Sequence, residues 1–75
     1  MSRIQKALND LATSRNASFV TKATGAPVEL YDDGASFAPI QVTTVGHWFT
    51  AADLRHAAKL FKKLADQLDA EGRNE

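Results

Sequence analysis

The residues of this 75-residue chain best suited to moving a proton or holding a metal ion are two histidines, His47 and His56, and nine carboxylates. The histidines stand too far apart to share a helical face as an i, i+4 metal pair, and no cysteine is present to complete a thiolate site. Asp32 or Asp33 brought beside His47 in space would make a general acid–base pair. Nothing in the spacing asks for that pairing, because Asp-Asp-Gly needs its carboxylates for a turn. The same stretch lacks the alternating acidic ligands of a calcium loop. Thr24-Gly25-Ala26-Pro27 has neither the glycines nor the lysine of a phosphate-binding loop, and no Gly-x-Ser-x-Gly elbow occurs. The sequence therefore reads as a non-enzyme, with no catalytic, cofactor-binding or metal-binding residue.

Contact chemistry is better represented. Val45-Gly46-His47-Trp48-Phe49-Thr50-Ala51-Ala52-Asp53-Leu54 holds the single tryptophan. Thr50 reads as a helix N-cap with Asp53 completing a capping box, and Phe49 and Leu54 occupy the positions of a hydrophobic staple. That leaves His47 and Trp48 without a role in the cap. Trp48 has two uses, as a plug in a core short of large residues or as an amphipathic contact for a partner. Tyr31 is the clearer surface aromatic. Leu60 lies at the margin of the second helix's apolar stripe, partly covered. With Thr43 on an open strand edge, and the basic residues Arg55, Lys59, Lys62 and Lys63 beside His56 on the outer helix face, these are the candidate partner-binding residues.

The elements that must position them follow from periodicity. Ser2 and Gln5 fit a capping box, and Ile4, Ala7, Leu8, Leu11 and Ala12 recur at helical spacing, which predicts a helix over about 3–14 closed by a left-handed Asn16. Strands are predicted over about 18–24, 28–32 and 36–45, the last two joined by a two-residue Asp33-Gly34 turn. That turn sets Leu30 opposite Phe37. An extra residue at Ala38-Pro39 brings Phe37, Ile40 and Val42 into phase, and proline belongs at such a bulge or on an edge strand. Leu54, Ala57, Ala58, Phe61, Leu64, Ala65 and Leu68 predict a second helix over about 51–69, with a frayed tail at 70–75. The expected fold is α+β with the order αβββα, a three-stranded antiparallel meander carrying both helices on one face. Its opposite face should present Val20, Lys22, Glu29, Tyr31 and Gln41.

Composition bounds the rest. The chain is 44% apolar and 24% charged, as expected of one small globular domain, and a domain this size buries only about 60% of its unfolded surface. The apolar runs are too short to span a membrane, and the amphipathic opening MSRIQKALNDL lacks a signal-peptide core, so a cytoplasmic protein is expected. Net charge is zero but unevenly placed. Arg3, Lys6 and Arg15 outweigh Asp10 at the start, Glu29, Asp32 and Asp33 outweigh Lys22 in the middle, and Arg55, Lys59, Lys62 and Lys63 outweigh Asp53 on the second helix. Asp66, Asp69, Glu71 and Glu75 then outweigh Arg73 at the end. Neutrality argues against a dedicated nucleic-acid binder.

Over nearly the whole chain the αβββα order resembles a double-stranded-RNA-binding domain. The resemblance implies phosphate contacts from lysines at the start of the second helix. Ala51, Ala52 and Asp53 stand there instead, and Asp53 would repel an RNA backbone. In size and architecture the chain also resembles short accessory or inhibitory proteins of bacteriophages and mobile elements. The expected function is thus binding to another protein, with a homodimer through the third-strand edge as one form of it. Nucleic-acid binding by the basic helix face is the alternative.

Overall fold

The computed structural model describes residues 2–73 and has the element order α1 (Arg3–Ser14), β1 (Asn16–Val20), β2 (Pro27–Asp32), β3 (Ile40–Thr44) and α2 (Ala51–Ala70). The strands form one antiparallel sheet in the order β1-β2-β3. This is the expected α+β meander, with several boundaries and one hairpin different from those predicted.

Helix α1 starts at Ser2, whose hydroxyl accepts from the Gln5 amide at 3.0 Å. The Gln5 side-chain amide donates onward to Asn9 Oδ1 at 3.0 Å. The left-handed residue that closes α1 is Arg15 (φ 62°), its amide bonded to the Leu11 carbonyl at 3.0 Å, and not Asn16. Asn16 is already in β1, opposite Tyr31. Strand β1 stops at Val20 because residues 21–26 fold into a tight turn. Thr21 donates its amide to the Ala26 carbonyl at 3.0 Å, and its hydroxyl accepts from the Ala26 amide at 2.9 Å. Lys22 therefore lies in that turn and not on the outer sheet face.

The β2–β3 connection also departs from the expected two-residue turn. The register pairs Leu30 with Val42 and Asp32 with Ile40, so residues 33–39 form a wider loop. Two side-chain turns hold it open. Asp32 Oδ1 accepts from the Gly34 amide and Asp33 Oδ1 from the Ala35 amide, both at 2.8 Å. Gly34 sits at φ 82°, where an added Cβ would lie 2.2 Å from Arg15 Nη1, so glycine serves both the backbone and the close approach. Phe37 falls in this loop, 76% exposed, instead of in a strand opposite Leu30. Ile40 and Val42 do share the inward face with Leu30, as their expected phase required.

Alternation sends Ala17, Phe19, Val28 and Leu30 inward, where they join Ile4, Ala7, Leu8 and Leu11 of α1 and Leu60 and Leu64 of α2 in one core. Both helices therefore lie on the same face of the sheet. They also run in the same direction. Ile4 of α1 and Ala52 and Arg55 of α2 border one groove with the β1–β2 turn, whereas Leu11, Gln67 and Leu68 border a cavity with Asp32 and Gly34 at the other end.

The last turn of α2 is fastened, not frayed. Gly72 (φ 73°) and Arg73 bond back to the carbonyls of Asp69 (3.1 Å) and Leu68 (2.9 Å), a Schellman closure. The Arg73 guanidinium then reaches the Asp32 carboxylate, the Ala35 carbonyl (3.1 Å) and Glu71 (3.1 Å). The Arg73 hydrogen bond holds the Asp32 carboxyl below its ordinary range, against the opposing effect of burial. Residues 74 and 75, the end of the expected tail, lie outside the described residues.

At the opposite end Asp53 is fully buried. It accepts from the Thr24 hydroxyl (2.6 Å), the Thr50 amide (3.0 Å) and the Thr24 amide (3.2 Å), while its own amide donates to the Thr50 hydroxyl at 3.1 Å. The Thr24 hydroxyl, helped by the Thr50 amide and the hydroxyls of Thr21 and Thr50, holds this carboxyl far below the carboxylate range despite its burial. The folded chain therefore refuses a proton that the unfolded chain accepts below about pH 4. Stability contributed by Asp53 is complete at neutral pH and is lost progressively as pH falls through and below that point. We expect Asp53→Asn to lower the melting temperature at neutral pH by roughly 10 °C. Denaturant titrations at neutral pH and at about pH 3 should show a smaller acid-induced loss in the variant than in the wild type.

Candidate interaction surface

Helix α2 is rotated from the orientation its sequence suggests. Its buried positions are Asp53, Ala57, Leu60 and Leu64. The one-residue-shifted set Leu54, Ala58, Phe61 and Ala65 is exposed. The anchoring of Asp53 to the β1–β2 turn decides between the two. His56 reinforces it, accepting from the Lys22 amide through Nδ1 at 3.0 Å and meeting Phe19 edge-on at 4.8 Å. With those two residues turned inward, Leu60 becomes the centre of the core at 0% exposure, not a marginal contact residue. Leu54 is 59% exposed, so the expected staple does not bury it, while Phe49 packs against the core. Half-buried His56 likewise leaves the outer basic face.

The displaced apolar stripe faces β3. Ala65 and Leu68 border a shallow pocket with Pro39 and Ile40, and Phe61, Ala58 and Leu54 follow one another along the same flank at helical spacing. Beside them, Val42 points to the helix side of the sheet yet remains 47% exposed, because α2 leaves β3 incompletely covered. The chain then runs through exposed Val45 and His47 to Trp48, which is 93% exposed and thus no part of the core. Together Val42, Val45, Trp48, Leu54 and Phe61 leave on the order of 600 Å² of residue surface in water between and beyond β3 and α2.

The strand beneath it is open. The Asp33 amide bonds to the Pro39 carbonyl at 3.0 Å, which sets the hydrogen-bonding phase of the hairpin. Gln41 and Thr43 then face β2, and the backbone groups of Ile40, Val42 and Thr44 face away from it, along the free edge. Thr43, predicted as an edge contact, instead has its backbone in the ladder and its side chain on the outer face. Tyr31 lies on that outer face with Val20, Glu29 and Gln41, across the sheet from the apolar flank. Of the predicted basic residues, Arg55 and Lys59 share the groove at the helix N-termini with Lys22. Exposed Lys62 is paired with Asp66 at 3.0 Å, and Lys63 is exposed on the same helix. The structure thus separates the predicted contacts: Tyr31 and Thr43 on one side, Trp48 and His47 at one end, and the basic residues on the helix exterior.

Sequence reasoning missed Leu54 and Phe61 as surface residues, whereas Val42 and Val45 fall on the third-strand edge it named as a contact surface. A signal was available: α2 carries two adjacent apolar stripes, more than a small three-stranded sheet can cover.

Among the described residues no group of His, Asp and Glu could hold a metal ion, and no helix is long and apolar enough to cross a membrane. Compared with known proteins, the chain matches no family model, no curated sequence and no solved structure. The likeness to double-stranded-RNA-binding domains therefore rests on element order alone.

The two large residues first weighed for interface roles should now separate by stability. We expect Leu60→Ala to destabilise the fold by about 3 kcal/mol and Trp48→Ala by no more than about 0.5 kcal/mol, measured by urea denaturation.

Proposed function

We propose that this chain is a non-catalytic protein-binding module whose contact surface is the β3–α2 flank, working as a cytoplasmic accessory or inhibitory protein by occupying a partner's surface. The observation that carries this reading is Trp48. A small domain with few large side chains leaves its single tryptophan 93% exposed, beside four further exposed aliphatic and aromatic residues. Leaving such a patch in water is unfavourable, and burying it against a partner at about 25 cal/mol per Å² supplies the driving force for association. The uncharged strand edge beside it offers backbone hydrogen bonds that fix direction and register. The acidic and basic ends of the molecule orient the encounter.

A second reading has one observation in its favour. Lys22, Arg55 and Lys59 converge on the groove where both helices begin, a place suited to phosphate. Buried Asp53 close by opposes it, and the net charge is zero.

Immobilised wild-type chain, Trp48→Ala, Phe61→Glu and Lys63→Glu, each incubated with lysate and read by quantitative mass spectrometry, tests both. We expect a specific protein, whether from the lysate or a tagged copy of this chain added to it, retained by wild type and Lys63→Glu, and reduced roughly ten-fold or more by each flank substitution. Retention indifferent to the flank would overturn the proposal. Retention of nucleic acid that falls steeply with salt and is lost in Lys59→Glu would replace it with the second reading.

A further inference from the structure

We infer that the occupant of the flank is a second copy of this chain, joined edge to edge through β3 about a two-fold axis passing beside Val42. The inference rests on the reading of the flank as a protein-docking surface and names its partner.

The two sheet edges are treated differently by the fold. On β1, Arg3 Nη1 donates to the carbonyls of Val20 and Thr21, both at 3.2 Å, and Lys6 and Asp10 of α1 border Asn16, Ala17 and Ser18. Charge and a long side chain in these places are the usual protection of an edge strand. On β3 such protection is confined to the first residue, where Asp69 and Arg73 border Ile40. From Gly34 to Ala52 the sequence contains no Lys, Arg, Asp or Glu, and residues 41–45 are all exposed. Beyond Ile40 a charged partner would find no charge on the strand to complement. A second, equally uncharged β3 meets neither repulsion nor an unpaired charge.

The hydrogen-bonding phase is self-complementary. With the groups of Ile40, Val42 and Thr44 directed outward, a two-fold at Val42 pairs Val42 with its own copy and Ile40 with Thr44 of the other chain. Each outward amide thus meets an outward carbonyl. A two-fold perpendicular to the sheet keeps both helix layers on the same side. The two stripes of Leu54, Ala58 and Phe61 then face one another across the new centre, above the paired Val42 side chains. Complete burial of both flanks would take at most about 1,200 Å² out of water, the lower end of standard stable interfaces. The outer faces bearing Tyr31 become one continuous six-stranded surface.

Sedimentation equilibrium of the full chain over micromolar to submillimolar concentration should return twice the monomer mass of 8.1 kDa. Val42→Pro should be monomeric with an unchanged circular dichroism spectrum, since the Val42 amide points away from β2 and no ladder bond within the chain is lost. The chain has no cysteine, so Val42→Cys introduces a single thiol that should cross-link to its copy under mild oxidation, whereas Tyr31→Cys should not. If Val42→Pro proves unfolded, the cross-linking contrast alone decides. A monomeric wild type, a dimer indifferent to a folded Val42→Pro, or equal cross-linking at the two positions would overturn the inference. A monomer that still retains a different protein through Trp48 and Phe61 would leave the docking reading standing and remove only the second copy.

Discussion

The fold turns on one buried carboxylate. Asp53 closes the first turn of α2 and, with the same two oxygens, takes hold of the β1–β2 turn through Thr24. A helix cap by itself sets where a helix begins; this one also sets how the helix is rotated. Once Asp53 must face the turn, Ala57, Leu60 and Leu64 follow it inward by helical geometry, and Leu54, Ala58 and Phe61 are carried to the side. The exposed flank is the direct consequence of satisfying a charge in the interior.

This accounts for what could and could not be seen in the sequence. Element order, strand alternation and the Thr50–Asp53 cap were legible because each depends on neighbours along the chain. The rotation of α2 was not, since both apolar stripes fit helical spacing and only a contact 29 residues away in sequence, Thr24 to Asp53, chooses between them. The hairpin failed for a similar reason. Asp33-Gly34 has the composition of a two-residue turn, but Asp32 and Asp33 direct their carboxylates to the backbone amides of the loop, and Arg73 ties Asp32 and Ala35 to the end of α2. Trp48 was ambiguous because size alone does not distinguish a plug from an anchor. Its position between β3 and the cap, with the core already filled by Phe19 and Leu60, leaves it outside.

The polar contacts that fasten α2 to the β-strand loops gather at the two ends of the molecule, and the interior between them is apolar. Asp53 and His56 fasten the end where both helices begin, and Arg73 fastens the end where both finish. Between them the core is built from small and medium side chains, with Phe19 its one fully buried ring. In so small a core, removing Leu60 affects most of its neighbours, whereas change along the β3–α2 flank leaves it intact.

The common direction of the two helices has an electrical consequence. Their peptide dipoles add, placing partial positive charge beside Lys22, Arg55 and Lys59 and partial negative charge beside Asp32 and Glu71, where Arg15 and Arg73 offset part of it. A chain with no net charge is thereby polarised along its helix axes. It should turn in the field of any highly charged body before touching it, so that one tip arrives first although the molecule as a whole is neither attracted nor repelled.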